Sequence, residues 1–511
     1  MTERRHAAEL DRLEAVMGEQ LGFAFEHDRR KELEVAASAR STELGLNGLG
    51  AYLERLESPA FRREETARLA EAVTVTETFF FRNPDQLSAL VEAVLPERAR
   101  RGGQRLRILC AGCASGEEPY SLAMALREGV PDLDSWNVQI LAIDVNPAML
   151  AKAKRATFTP WSLRATPEPL RARYFKRSGN ALELDPEVTK MVTFRAHNLA
   201  EHDPLFYRAL ACDAIFCRNV IMYFTPEVMG RVVGRLTEAL LPGGFLFLGH
   251  AETLRGLSHD YHLCHTHETF YYQRKEPGVP QSVRFAPQHP LPAPATDELP
   301  PVVAENLSWF EAIQRATHRV TELTAGDARR SATTAEGPAA ADARALELAP
   351  VLELMRRERF AEARALLDAL PADAGKHPDA LLFSAVLLTN DGKLADAERA
   401  CERLLEVDEL HAGAHYLKAL CREHAGDTRG ALEHDEVAVH LDPTFAMPHL
   451  HAGLMARRAG DALVARRELG QAQVLLERED TSRLVLFGGG FSRDALAALC
   501  RTELGKLGGR A

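Results

Sequence analysis

The sequence predicts an α/β protein: a parallel, doubly wound sheet, preceded by a helical block and followed by a helical repeat array. Three observations carry this reading. Between residues 86 and 275, short β-rich runs alternate with helical stretches. Before residue 85, apolar residues recur at helical spacing. After residue 345, glycine and alanine return every 34 residues. Strands separated by helices form parallel sheets covered on both faces.

The bulk properties narrow the function classes. A chain of 511 residues supports two to four domains. Its net charge of −11 argues against a general nucleic-acid binder, which needs a basic face. The cluster Arg29-Arg30-Lys31 is flanked by Asp28 and Glu32 and reads as a solvated helix face. No apolar run approaches the roughly 20 residues of a membrane span. The first residues, "MTERRHAAELDRLE", hold charges where a signal peptide has its apolar core. Eight cysteines scattered without framework spacing indicate a reduced, cytoplasmic protein.

The elements follow in order. Residues 1–85 are helical, as in "LDRLEAVMGEQLGF" and "LGLNGLGAYLERLES". Residues 86–275 contain the runs "LRILCAG", "VQILAID", "VTFRAHN", "CDAIFCRN", "GGFLFLGH" and "TFYYQR". Residues 276–345 are a Pro/Ala-rich linker with one candidate helix in "ENLSWFEAIQRATHRVTELTAG". Residues 346–480 hold the repeat: Gly392, Gly426 and Gly460 share one spacing, as do Ala397, Ala431 and Ala465. Ala363 stands in phase one period earlier, with Glu358 at the glycine position, so residues 346–379 form a degenerate fourth unit. A 34-residue period of paired helices resembles the tetratricopeptide repeat, whose concave face binds protein. Residues 481–511 form a tail with a glycine loop and a capping helix, Ser492 being the N-cap candidate.

The stretch "ILCAGCASGEEPYSLAMAL", residues 108–126, admits three chemistries. The C-x-x-C of Cys110 and Cys113 lacks the further ligands that a structural zinc needs. His262, His265 and His267 form a second candidate cluster, but they read better as an edge-strand surface, with His265 and His267 on one face. No metal site is expected. A dinucleotide loop is disfavoured because Gly112 and Gly116 lack the third glycine, and no Gly-Lys-Ser/Thr is present. Glu117 and Glu118 suit the positive end of a helix dipole and repel a phosphate there. S-adenosylmethionine fits instead, since it carries an amino group and a sulfonium but no phosphate. Asp144, ending "VQILAID", can accept bonds from both ribose hydroxyls. Asp144 could equally cap the helix of "PAMLAKAKRA".

With these residues in place, the chain resembles the CheR-type chemotaxis-receptor glutamate methyltransferases. The resemblance spans residues 10–274 and rests on "TVTETFFFR", "AGCASGEEPYSLAM", "AIDVNPAMLAKA", "HNLAEHDP", "CDAIFCRNVIMYF" and "LLPGGFLFLGHAETL". It implies a class I S-adenosylmethionine-dependent, Rossmann-like fold with a small β-subdomain inserted at about residues 165–195. It implies transfer of a methyl group to receptor glutamates, leaving γ-glutamyl methyl esters and S-adenosylhomocysteine. Thr76, Thr78 and Arg82 come from the first segment; Thr76 stands where family members often carry Asn. Glu117 or Glu118 is implied at the amino-acid end of the cofactor, and Asp144 at its ribose. Asn198 and Leu199 flank the adenine, Arg218 and Asn219 line the methionine side, and Tyr223 faces the transferred methyl beside Arg82. The short turn in "RSGNALEL" resembles members without receptor-peptide tethering. Residues 1–85 would contact the cytoplasmic helices of the receptor, with Arg29, Arg30, Lys31 and Arg40 as candidates.

A glutamate with pKa near about 4.3 is already ionised at pH 7, so its attack on a sulfonium methyl requires no general base. Catalysis then rests on positioning and on excluding water. Arg82 can hold the carboxylate, and Tyr223 can orient it. Their bland alternatives are a structural ion pair and a core aromatic. Two other functions stay open: a scaffold that binds cofactor but catalyses weakly, and a methyltransferase of a non-chemotaxis signalling protein. The repeats would bind another protein or fold back on the enzyme.

Overall fold

The computed structural model describes residues 2–25, 27–100, 104–250, 252–276, 348–357, 359–371, 374–489 and 491–508. The linker of residues 277–347, with its candidate helix, and Glu358 lie outside the described residues. The chain divides into two compact units.

The first unit opens with the helices Thr2–Leu21, His27–Glu43, Gly48–Leu56 and Pro59–Val73. Leu13, Met17 and Leu21 recur every fourth residue and are buried, with Leu33, Tyr52, Leu53 and Leu69. Glu65 is buried among them and accepts from the Tyr52 hydroxyl at 2.8 Å and from the Arg40 guanidinium at 2.6 Å. Arg40 therefore ties helices together. The receptor-contact reading of Arg30 meets a similar engagement, since its guanidinium pairs with Asp11 and Glu14.

The main sheet has strands β1 (Arg105–Ala111), β2 (Asn137–Asp144), β6 (Val192–Ala196), β7 (Cys212–Cys217), β8 (Leu240–Leu248), β9 (Tyr261–Thr266) and β10 (Thr269–Arg274). Their order is β6-β2-β1-β7-β8-β10-β9. Five strands are parallel, but β10 runs antiparallel to both β8 and β9, so the sheet is mixed rather than wholly parallel. The hairpin connection of β9 and β10 imposes this, because a tight turn joins only antiparallel neighbours. The chain reverses on either side of β1: β2 lies on one flank and β7 on the other. Ligands of open α/β sheets bind beyond the strand ends at such a switch point.

A second sheet, of β3 (Thr157–Phe158), β4 (Phe175–Ser178) and β5 (Ala181–Leu184), pairs in the order β3-β5-β4. It begins ahead of the expected subdomain boundary, and Val192–Ala196 belongs to the main sheet instead. The β4–β5 turn is short, with Gly179 at φ 62°. The histidine cluster also departs from expectation. His265 is buried and stacks on Phe270 at 4.2 Å, while His267 sits in the turn after β9 and pairs with Glu92 at 2.9 Å. Strand alternation ends at Thr266, so the two do not share a face.

The second unit is a stack of helix pairs: Ala349–Arg356 with Phe360–Asp368, Pro378–Asn390 with Leu394–Val407, Ala412–His424 with Thr428–Leu441, and Ala446–Arg458 with Ala462–Leu476. Gly392, Gly426 and Gly460 follow the first helices at φ 74°, 81° and 83°, the left-handed turn that glycine adopts without strain. Ala363, Ala397, Ala431 and Ala465 are fully buried, which lets the backbones of paired helices approach. The tail forms two helices, Thr481–Phe487 and Arg493–Gly508. Ser492 caps the second, accepting from the Ala495 amide at 3.3 Å. Among the described residues, no helix is long and apolar enough to cross a membrane.

Candidate functional site

The strand ends at the switch point enclose a cavity of about 280 Å³. β1 leads into Gly112, whose φ is 78° and whose α-carbon leaves no room for a Cβ: one would stand 2.3 Å from Val220 Cγ2. Gly116, at φ 94°, similarly admits Ala153 and starts the helix Glu117–Gly129. Only glycine permits these approaches. The turn thus brings the β1 and β7 loops together over the cavity.

Glu118 faces the cavity, and Glu117 does not line it. Glu118 Oε1 pairs with Arg218 Nε at 2.6 Å, and its other oxygen accepts from Cys110 Sγ at 3.1 Å. Glu117 is buried on another side, accepting from the Ser115 hydroxyl at 2.7 Å, and burial raises its carboxyl above the ordinary range. The cysteines are buried, and burial pushes both thiols well up. Among the described residues, no group of three or more histidine, cysteine or acidic side chains could hold a metal.

Asp144 lines the cavity from the end of β2. One oxygen accepts from the Ala114 amide and the other from the Asn146 amide, both at 2.8 Å. Burial raises its carboxyl, against those amides, which lower it. The cap of helix Pro147–Arg155 is Asn146, which accepts from Met149 N at 3.0 Å. Asp144 is therefore not that cap; one oxygen serves the glycine turn and the other the loop after β2, at the cavity wall.

The segment "TVTETFFFR" wraps the cavity, and Thr76, Thr78, Phe79 and Arg82 line it. Phe80 is the core anchor, edge-on to Phe158 at 4.7 Å and to Phe175 at 5.0 Å. Phe81 is buried too and holds φ at 56°, a strained value for a bulky residue. Its amide donates to Ser121 Oγ at 3.0 Å. Arg218, nearly fully buried, donates to the Arg82 carbonyl at 2.7 Å and to Gln86 Oε1 at 3.2 Å. The guanidinium of Arg218 is thus committed to protein partners, holding Glu118 and the Arg82 backbone in place.

Asn198 and Leu199 line the cavity after β6. Asn198 Nδ2 donates to the Gln20 carbonyl at 2.7 Å, joining the first helix to the site. Beyond β7, Asn219 takes φ 57°, and Tyr223 completes the wall. Phe23 forms an isolated antiparallel bridge with Phe224, and the Ala24 amide donates to the Tyr223 carbonyl at 2.9 Å. Arg29 lies over the Tyr223 ring at 4.2 Å, a cation–π contact inside the cavity wall. Of the four basic candidates of the helical block, Arg29 is the one lining this cavity.

Sequence reasoning missed Glu252. Its buried carboxylate accepts from Asn219 N (2.6 Å), Val220 N (2.8 Å), Met222 N (3.2 Å) and Gly249 N (2.8 Å). Burial raises its carboxyl, opposed by these four amides. Three amides of the "RNVIM" loop thus converge on this one side chain. The signal was an acidic residue three positions after the end of the run "FLFLG". Ser121 and Gln86 were also missed; both are polar residues buried among apolar neighbours.

Taken in chain order, the seven main strands lie 3-2-1-4-5-7-6 with strand 7 antiparallel to its neighbours, and acidic residues rather than a phosphate loop line the switch point. That fold and site define a class I S-adenosylmethionine-dependent methyltransferase. The chain belongs to the CheR methyltransferase family: the profile described as "CheR methyltransferase, SAM binding domain" matches residues 76–270. It is 30% identical over 461 residues to the "Probable biofilm formation methyltransferase WspC" of Pseudomonas aeruginosa, covering 89% of this chain and 96% of that protein. It is 36% identical over 240 residues to "Chemotaxis protein methyltransferase 1" of the same organism, covering 45% of this chain and 85% of that protein. It is 35% identical over 217 residues to "Chemotaxis protein methyltransferase 2" of Vibrio cholerae, covering 42% of this chain and 75% of that protein.

Proposed function

We propose that the enzyme methylates glutamate side chains on the cytoplasmic helices of a chemoreceptor, and that the repeat unit recruits or regulates through protein contacts. One observation carries the catalytic reading: Arg82 and Tyr223 line the same cavity as Glu118 and Asp144. The acidic pair suits a cationic ligand that lacks phosphate, and it sits where a ribose and an amino group can be bound. Bound there, S-adenosylmethionine supplies a methyl group made electrophilic by its sulfonium and leaves S-adenosylhomocysteine. Asp144 accepts from the ribose hydroxyls, Glu118 takes the amino group, and Asn198 and Leu199 border the adenine. Thr76 and Thr78 line the cavity on the irregular segment that leads to Arg82.

Arg82 binds the incoming carboxylate by charge-assisted hydrogen bonds. Tyr223 orients it through its hydroxyl, with the Arg29 guanidinium above the ring holding that side chain in place. The substrate carboxylate is ionised at neutral pH, so no residue need remove a proton. Positioning and exclusion of water supply the rate. Labelled methyl groups should pass from S-adenosylmethionine to base-labile esters on receptor signalling fragments. Cofactor binding without any transfer would reject the catalytic reading.

The second reading changes the pathway and keeps the chemistry. It is favoured by the length of the match to the biofilm formation methyltransferase, which spans both units. In it the acceptor is a receptor outside motility control, and the same labelling assay on such a receptor distinguishes the two.

A further inference from the structure

In the repeat unit, the short helix Thr481–Phe487 packs against the first helices of the pairs. These are the helices that line the inner face of such an array. The Phe487 ring lies 5.1 Å from Phe445 and 6.0 Å from Tyr416. Gly413 makes its socket: a Cβ there would stand 2.5 Å from Phe487 Cζ. Leu484, one helical turn earlier, is buried with it. Arg483 stacks over Phe445 at 4.5 Å and pairs with Asp442 at 3.1 Å. These contacts are what a bound peptide makes in a groove: two apolar anchors on one helix face and one basic residue at its edge.

The segment also has the construction of a strap. Its helix is seven residues long, too short to hold itself without the groove. Gly488 and Gly489 follow it, Gly489 at φ 61°. The end of the array is covered by a different element, helix Arg493–Gly508, whose Glu503 pairs with Arg457 at 2.6 Å. Capping therefore does not require Thr481–Phe487.

We propose that Thr481–Phe487 is a built-in ligand of the repeat groove, and that the groove's external partner is a protein segment of the same chemistry. That partner presents a short helix with a basic residue, then leucine, then phenylalanine three residues after the leucine, and it displaces the strap to bind.

The test uses the full chain and a labelled synthetic peptide, "EDTSRLVLFGG", residues 479–489. A Leu484→Ser/Phe487→Ser variant should bind the peptide saturably, at least about tenfold tighter than the unmodified chain does, and adding Gly413→Val should abolish that binding. If the double variant keeps its helical signal and binds no better than the unmodified chain, the proposal is overturned. If it loses its fold, the segment is part of the core and the proposal is likewise overturned. A second measurement needs no variant: amide hydrogen exchange on the unmodified chain. The Thr481–Phe487 amides should exchange at least about tenfold faster than those of Ala412–His424; equal protection would overturn the proposal.

Discussion

Glu118 Oε1 lies 2.6 Å from Arg218 Nε, with both side chains nearly removed from water. This pair joins the helix after β1 to the loop after β7, the two elements that flank the cavity. Removing one partner strands a buried charge on the other, at a cost of about 3–5 kcal/mol. Glu118→Ala should therefore lower the unfolding temperature of the catalytic unit as well as cofactor affinity. Glu118→Gln keeps the shape and should lower affinity at least about tenfold with a smaller stability loss. Calorimetric titration and scanning calorimetry on both variants check this; equal stability losses would show that the charge, which both variants remove, outweighs the shape and hydrogen bonding that only Gln keeps.

Asp144→Ala should abolish measurable binding of S-adenosylmethionine. It removes the proposed ribose acceptor and leaves the Ala114 and Asn146 amides without their carboxylate. Burial raises the Asp144 carboxyl, so its charge is lost at a higher pH than that of an ordinary aspartate. Affinity should accordingly weaken on acidification before free aspartate would protonate. Unchanged affinity in the variant, read by calorimetry, removes Asp144 from the site.

Glu252→Gln keeps volume but replaces one acceptor oxygen with a donor facing amides. Two of the four amides lose their partner, at about 1–3 kcal/mol for each buried donor left unsatisfied. The "RNVIM" loop should loosen, so kcat should fall more than cofactor affinity. Single-turnover rates set beside binding isotherms separate these effects.

Arg82→Ala should raise KM for the protein substrate and lower kcat, whereas Tyr223→Phe should lower kcat, by roughly ten- to a hundredfold. With no general base, the rate at saturating cofactor should be flat from about pH 6 to 9 and fall on acidification as the acceptor glutamate protonates, at about 4.3. A rate that climbs through neutrality would reveal a titrating base.

In the repeat unit, His451 is fully buried between Asp435 at 2.6 Å and Glu423 at 3.0 Å. Burial alone would lower its pKa, but the two carboxylates raise it to about 9. A histidine raised on folding stabilises fully below its ordinary value near about 6.5, and that stabilisation is lost as pH rises through the folded value. The unfolding temperature of the repeats should therefore fall from about pH 6.5 to beyond 9. His451→Gln should flatten that slope; an unaltered slope would assign it to another group.

Much of the lining of the candidate site was legible in the sequence because its parts lie at strand ends. The glycine turn, Asp144 and "FCRNVIMYF" each follow an apolar run that stops abruptly. The 34-residue spacing likewise announced paired helices, and Gly392, Gly426 and Gly460 occupy equivalent turns. The closing strands were harder to read, because a hairpin and a crossover share the same apolar alternation within each strand.

The sequence by itself determined the alternation of strand and helix, the repeat period, and an acidic rather than phosphate-binding turn, since all three are local patterns of polarity and backbone freedom. Tertiary structure decided which of two adjacent glutamates faces the cavity. Neighbours on a helix point roughly 100° apart, and only packing chooses the rotation. It also decided that Glu252 carries the β7 loop and that Phe487 fills the socket at Gly413. Those partners are 33 and 74 residues apart in the chain, and no local pattern encodes a contact over such a separation.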